Sequence, residues 1–218
     1  HFFSNPSQSA HVNRRSIHLP CRWNYLGKGR ALGTLLHYAV EFNNVSAISI
    51  LVKNGAEPSI PDSHAWTPLH IAAAKGSLEC ARSLLLHGAD PNLRGGCDEA
   101  VSRGWSALHL AAAQADVDMV ALLLSFGADA GCRSGRFNDT PLHELACNGR
   151  DISCFPGALR PKSAAHARQA FEQLVRVTAD GPGGLRCTNT QGATPSSKAT
   201  KSTQGLFQSP VAASAAER

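Results

Sequence analysis

Thr67-Pro68-Leu69-His70-Ile71-Ala72, followed twelve residues on by Leu84-Leu85-Leu86-His87-Gly88-Ala89-Asp90, is the stretch on which the fold turns. Thr67 is a good helix N-cap, and Pro68 falls at the first helical position, where its missing N–H costs nothing. A short helix then places Leu69, Ala72 and Ala73 on one face, and its small residues allow a neighbouring helix to come close. A second short helix carries Leu84–Leu86 and stops at Gly88, where a positive φ is wanted. Neither helix is long enough to be stable alone. Two such helices bury their apolar faces only against further copies, so the units must stack.

The copies are present. Thr34-Leu35-Leu36-His37-Tyr38-Ala39 precedes Ile50–Ala56, Ser106-Ala107-Leu108-His109-Leu110-Ala111 precedes Leu122–Asp129, and Thr140-Pro141-Leu142-His143-Glu144-Leu145-Ala146 opens a fourth unit. The motif histidines are 33, 39 and 34 residues apart, and the step from His to Gly is 18 in each of the first three units (Gly55, Gly88, Gly127). The extra residues of the longer step therefore lie outside the helices, around Gly95–Arg103. This register resembles the T-P-L-H-x-A and L-L-x-x-G-A-D signatures of ankyrin repeats over about residues 29–150. The resemblance implies an all-α solenoid of helix-turn-helix units with β-hairpin-like fingers.

Composition agrees with that architecture. The 218 residues are 43% hydrophobic but only 6% aromatic, which disfavours a β-sandwich. No run approaches the roughly 18 apolar residues of a membrane span, so no membrane insertion is expected. The net charge of +5 sits at the ends: residues 1–40 carry five basic residues and no acid, whereas residues 41–180 are net −3. Seven scattered cysteines without a C-x-x-C pair argue against a zinc site or a disulfide framework and for reduced thiols in a cytoplasmic or nuclear setting. A chain that begins at His1 reads as a fragment or a processed piece.

The organisation expected is a basic arm at 1–28, a repeat domain at 29–180 and a tail at 181–218. The units lie near 29–61, 62–94, 101–134 and 135–180. In the fourth, the step from His143 to the Gly position is 35, so a loop at 150–163 is inserted before a second helix at Ala164–Val177. Gly192-Ala193-Thr194-Pro195 starts a degenerate fifth unit in which Ser196 and Ser197 replace Leu-His. The tail around it, rich in Gly, Ser, Thr and Ala, reads as disordered.

Ten histidines and seven cysteines invite an enzymatic reading. However, His37, His70, His109 and His143 recur at one position per unit, and a position used four times is structural rather than catalytic. By resemblance, this His joins a network with the motif Thr and neighbouring backbone. No phosphate loop, H-E-x-x-H motif or nucleophile–base pair stands at a working spacing. No catalytic, metal-binding or cofactor-binding residue is assigned, and no cofactor is expected.

The resemblance implies non-enzymatic protein recognition on a concave face of finger tips and inner helices. In register, that face holds Arg30 and Phe42; His64, Trp66 and Lys75; Arg103, Trp105 and Gln114; and Arg136, Phe137, Asp139 and Asn148. Trp66 and Trp105 occupy one finger position in adjacent units, and Trp and Arg are enriched in binding hot spots. On this reading, a strip of Trp66, Trp105 and Phe137, flanked by basic residues, meets a protein partner with acidic groups. Replacing both Trp would then weaken binding and leave the fold intact. Asn92 resembles the ankyrin asparagines that an asparaginyl hydroxylase modifies, against the plainer reading of a turn-stabilising Asn. Nucleic-acid binding by Arg14–Arg30 is disfavoured because the arm lacks interleaved aromatics beyond Trp23 and Tyr25. The alternatives are a ubiquitin-ligase adaptor of the SOCS-box type, for which no box is visible through Arg218, and a regulatory domain of a larger enzyme or channel.

Overall fold

A computed structural model describes residues 13–14, 17–18, 32–96, 104–133, 137–147, 163–178, 184–201, 203–209 and 211–212. Two short strands, β1 (Ile17–His18) and β2 (Leu32–Gly33), precede the helices. Then come the pairs α1 (Leu35–Glu41) with α2 (Val45–Lys53), α3 (Pro68–Lys75) with α4 (Leu78–Leu86), α5 (Ala107–Ala113) with α6 (Val117–Ser125), and α7 (Pro141–Cys147) with α8 (Ala164–Thr178). A one-turn helix α9 (Pro195–Lys198) and a 3-10 turn at Gln204–Gln208 close the described chain. The first helix of each pair packs on the first helix of the next, α1 on α3, α3 on α5, α5 on α7 and α7 on α9. The second helices form their own column, α2 on α4, α4 on α6 and α6 on α8. The fold is thus an all-α solenoid of stacked pairs.

Each pair is set by its caps. Thr34, Thr67 and Ser106 each take part in a reciprocal capping box with the histidine three residues on. Asn44 and Asp116 accept from the third backbone N–H of α2 and α6. The interior between the columns is built from Leu36 and Ile48, Leu69 and Leu84, Leu108, Met119 and Leu123, then Leu142, Leu145, Phe171 and Leu174, all fully buried. Alanines at 72–74 and 111–113 are buried too, which is what lets the inner helices approach closely.

Fingers precede the inner helices. β1 pairs antiparallel with β2, Ile17 opposite Gly33. Gly95 and Trp105 exchange both backbone bonds at 2.8 and 2.9 Å. The first finger therefore draws on residues that the sequence reading set aside as an arm. Asn13, further upstream, is likewise bonded into the first unit, at Gly55 and Glu57. The residue two before each later N-cap turns to positive φ: Ala65 (63°), Gly104 (58°), Asn138 (56°) and Gly192 (73°).

The expectation of a disordered tail does not hold for the described part of 184–209. The Thr194 hydroxyl accepts from Ser197 N–H at 3.3 Å and caps α9. The Thr203 hydroxyl donates to Ala146 O at 2.7 Å, and Thr200 N–H donates to the same carbonyl at 3.2 Å. Leu206 is buried, and Phe207 meets Phe171 edge-on with centroids 5.0 Å apart. A few long-range contacts order a segment whose composition is that of a loop. The inserted loop of the fourth unit lies, but for Ser163, outside the described residues.

Gly95 and Gly96 press on the face of Trp66. A Cβ on Gly96, whose φ is +76°, would lie 2.5 Å from the indole Cζ2. Gly96→Ala combines a left-handed backbone penalty of about 1 kcal/mol with an overlap against a buried ring. It is expected to destabilise the chain by about 2 kcal/mol or more in urea unfolding. A stability loss below measurement error would show that the finger does not hold the Trp66 ring.

Candidate partner-binding surface

The four motif histidines occupy one geometry. Backbone N–H of the N-cap residue donates to the imidazole Nδ1: Thr34 to His37 at 3.0 Å, Thr67 to His70 at 3.2 Å, Ser106 to His109 at 3.3 Å and Thr140 to His143 at 3.2 Å. An Nδ1 that accepts leaves the proton on Nε2, which donates into the next unit. The receiving carbonyls are Trp66 (2.9 Å), Trp105 (2.8 Å), Asp139 (3.1 Å) and Ala193 (3.0 Å). Each acceptor immediately precedes the N-cap of the following unit, so the histidines tie the stack together rung by rung.

Both nitrogens being engaged, these rings are held neutral. Burial lowers the pKa of His70 and His109 to about 4, outweighing the backbone bonds that favour the charged form. Burial lowers His143 as well. Cys132 stands near this network, its Sγ 3.7 Å from His109 Nδ1 and 3.4 Å from Ser106 Oγ. The pair resembles a Cys–His dyad only in distance. Burial pushes the Cys132 thiol up, and the imidazole lone pair is already taken by Ser106, so the thiolate is not favoured.

The candidate face is less open than the register suggests. Trp66 is 5% and Trp105 4% exposed, Trp66 lying edge-on to His70 at 5.3 Å. Trp66 packs under Gly95 and Gly96 of the next finger and Trp105 is buried as well, so the expected Trp66/Trp105 contact strip does not hold: both rings are core. Gln114 is buried, its amide donating to Ala73 O at 2.9 Å. The Asp139 carboxylate is buried, taking bonds from Asn189 (3.0 Å) and from Lys198 (2.7 Å). Burial opposes the charge on Lys198, but the Asp139 bond and nearby acidic groups raise its pKa on balance. Trp66, Trp105, Gln114 and Asp139 therefore hold the stack together instead of facing a partner. Lys75 is partly covered and paired with Glu41 at 3.2 Å. Phe137 is half-buried under the Lys198 ammonium, 5.5 Å from its centroid. His64 is half-exposed, and Phe42 is exposed at 58%. Arg30, Arg103, Arg136 and Asn148 lie outside the described residues.

Two features escaped the sequence reading. The first is a second set of rungs along the outer column. The Asn92 side chain donates to Gly127 O (3.0 Å) and accepts from Asp129 N–H (2.8 Å). The Asn13 side chain makes the same pair with Gly55 O (3.0 Å) and Glu57 N–H (2.8 Å). Ser59 fills this position in the intervening unit, accepting from Asp90 N–H at 3.2 Å. The second is an apolar groove of about 440 Å³ across α1 and α2, lined by Tyr38, Ala39, Phe42, Ala47, Ile50 and Leu51 among others. Tyr38 is 40% and Ile50 60% exposed. A comparison of unit one with units two and three, position by position, is the signal that finds it.

This arrangement defines a stacked-repeat scaffold whose repeated polar residues are consumed in holding it together. Family models described as ankyrin repeats match residues 17–95 and 70–124. The chain is an ankyrin-repeat protein, and its repeats form a protein-interaction module. Human protein phosphatase 1 regulatory subunit 27 is 46% identical over 55 residues, 25% of this chain and 36% of that protein. Mouse RelA-associated inhibitor is 41% identical over 56 residues, 26% of this chain and 7% of that protein. The Arabidopsis thaliana E3 ubiquitin-protein ligase KEG is 37% identical over 61 residues, 28% of this chain and 4% of that protein. The chain thus spans about a third or less of these curated relatives. Among the described residues, no helix is long and apolar enough to cross a membrane.

Two measurements check this geometry. Trp66→Ala removes a buried indole and is expected to cost about 3–5 kcal/mol of stability, read as a loss of the urea midpoint. An unchanged midpoint would return Trp66 to the surface. The histidines set the second. Their folded pKa, about 4 for His70 and His109, lies below the ordinary 6.5. The unfolded chain therefore binds protons that the native chain refuses, and the stabilisation is complete above pH 6.5 and falls as pH drops toward 4. Each such His contributes a slope of at most about 1.4 kcal/mol per pH unit in that window. Melting temperature should fall steadily from pH 7 to pH 5, with a shallower fall in His109→Gln. Identical slopes for the two chains would rule out His109 as a source.

Proposed function

We propose that the chain acts as a non-enzymatic recognition module that binds a protein partner along the finger and inner-helix side of the stack. The carrying observation is the division between repeated and unrepeated positions. The motif histidines, their caps, the clamp residues and both finger tryptophans are consumed in joining units. What varies between units, and so what a partner can read, is the set of finger and helix-end residues. His64, Lys75 and Phe137 are the described members, and Arg30, Arg103, Arg136 and Asn148 are placed with them by register alone. Their mixed basic and aromatic character favours a partner surface with acidic groups. A reducing, cytoplasmic or nuclear setting fits the free thiols at Cys80, Cys132, Cys147 and Cys187.

The relatives support a module rather than one activity. A phosphatase regulatory subunit, an inhibitor and a ubiquitin ligase, by their names, share with this chain only a short stretch of repeats. Recognition is the function common to such different settings. The ligase relative keeps a role in ubiquitin-ligase substrate recognition as the second reading. Hydroxylation at Asn92 would require an enzyme to open both clamp bonds that its amide makes to the next unit.

Charge reversal tests the face directly. A chain carrying His64→Glu, Arg103→Glu and Arg136→Glu is expected to bind a partner at least tenfold more weakly than the parent, with the melting temperature unchanged. Calorimetry with a partner captured by the parent chain gives the comparison. Equal affinities would move the binding face elsewhere on the stack.

A further inference from the structure

Units one, two and three present equivalent positions to whatever lies upstream of them. Ile71, Cys80, Ser83 and Leu84 of unit two are buried, as are Leu110, Met119, Leu122 and Leu123 of unit three. Unit one carries Tyr38, Ala47, Ile50 and Leu51 at those places. There Tyr38 and Ile50 are 40% and 60% exposed, and Phe42, in register with Lys75 and Gln114, is 58% exposed. A terminal unit of a solenoid ordinarily turns a polar face outward. This one keeps large apolar groups around an open groove.

Two further observations extend the register upstream of unit one. Asn13 clamps Gly55 and Glu57 as Asn92, the loop residue closing unit two, clamps Gly127 and Asp129 of unit three. Asn13 therefore stands where the closing loop of a preceding unit stands. Gly33 immediately precedes the Thr34 cap, as Trp66 and Trp105 precede theirs, and the carbonyls of those two receive the histidine rungs. We infer that the groove of α1 and α2 is a stacking face for one more helix pair of the same repeat type, joined to this chain through Asn13. That pair lays its apolar face on Tyr38, Phe42 and Ile50, and its motif histidine donates Nε2–H to the Gly33 carbonyl. The inference stands independently of the partner face proposed above, since it concerns the integrity of the stack and not the fingers.

The test grafts a consensus ankyrin helix pair directly ahead of Asn13 and compares it with the 218-residue chain by thermal melting, hydrogen exchange and light scattering. One cooperative transition is expected, raised by at least about 5 °C, with new exchange protection in α1 and α2. Ile50→Asp should abolish that rise while shifting the ungrafted chain by less than about 2 °C, as its exposure implies. Separate melting of the graft, or no added protection, overturns the proposal. So does a concentration-dependent dimer of the ungrafted chain that Ile50→Asp dissociates, which would make a second copy the occupant. Loss of α1 and α2 protection on deleting residues 1–12 would overturn it in favour of those residues.

Discussion

The stack rests on the neutral imidazole that bridges successive units. Its Nδ1 must accept from the N-cap backbone of its own helix, so its Nε2–H must donate, and the donation goes to the carbonyl just ahead of the next cap. Few side chains do both. A protonated His has no acceptor, and a Ser in its place caps locally but does not reach the next unit. Each bond contributes on the order of 1 kcal/mol net, whereas the carbonyl left buried without it costs about 1–3 kcal/mol. Stability of the array therefore depends on the rung being complete at every step. Where the series ends, in α9, Ser197 stands in the His position and its hydroxyl donates back to Thr194 O at 2.9 Å, within its own turn.

The histidine rungs run along the inner column and the Asn13, Ser59 and Asn92 rungs along the outer one. Two separated lines of bonds restrict the rotation of one unit against the next, which a single line leaves open. Between them the core is dispersive: leucines from both columns, and alanines where helices approach most closely. That division explains the scarcity of aromatics. Trp66 is housed where a finger closes over it, with Gly95 and Gly96 against its ring, and Phe171 enters the core from the longer helix of the fourth unit.

The repeats were legible because their signals are local. A cap, a His three residues on and, in the first three units, a Gly 18 residues after that His are all written within one unit, and their recurrence supplies the register. The long helix after the fourth-unit insertion was readable for the same reason. Burial of Trp66 was not, because it is decided by Gly95 and Gly96 in the finger of the following unit. The shared position of Trp66 and Trp105 in adjacent fingers is as consistent with a structural ring as with a binding strip, and only the third dimension separates the two. The tail misled in the opposite sense: Thr203, Leu206 and Phe207 carry no period, yet Thr203 and Phe207 each meet a specific group of the fourth unit and Leu206 is buried.

The rungs give the stack a direction. In every described unit the histidine reaches toward the C-terminal neighbour, and Ser59 and Asn92 do the same from units one and two, so the two ends are chemically different. At the downstream end of the described residues, α9 offers Ser196 and Ser197 to solvent where Leu and His stand elsewhere, and the 3-10 turn sets Phe207 against Phe171. The upstream end receives rather than reaches, and it combines an exposed Tyr, Phe and Ile with a clamp already closed by Asn13. An exposed patch on a helical surface is commonly a partner site, and Phe42 was first read in that way. Its neighbours change the assignment. A groove whose positions at Tyr38, Ala47, Ile50 and Leu51 are all buried in the two units downstream is shaped by stacking.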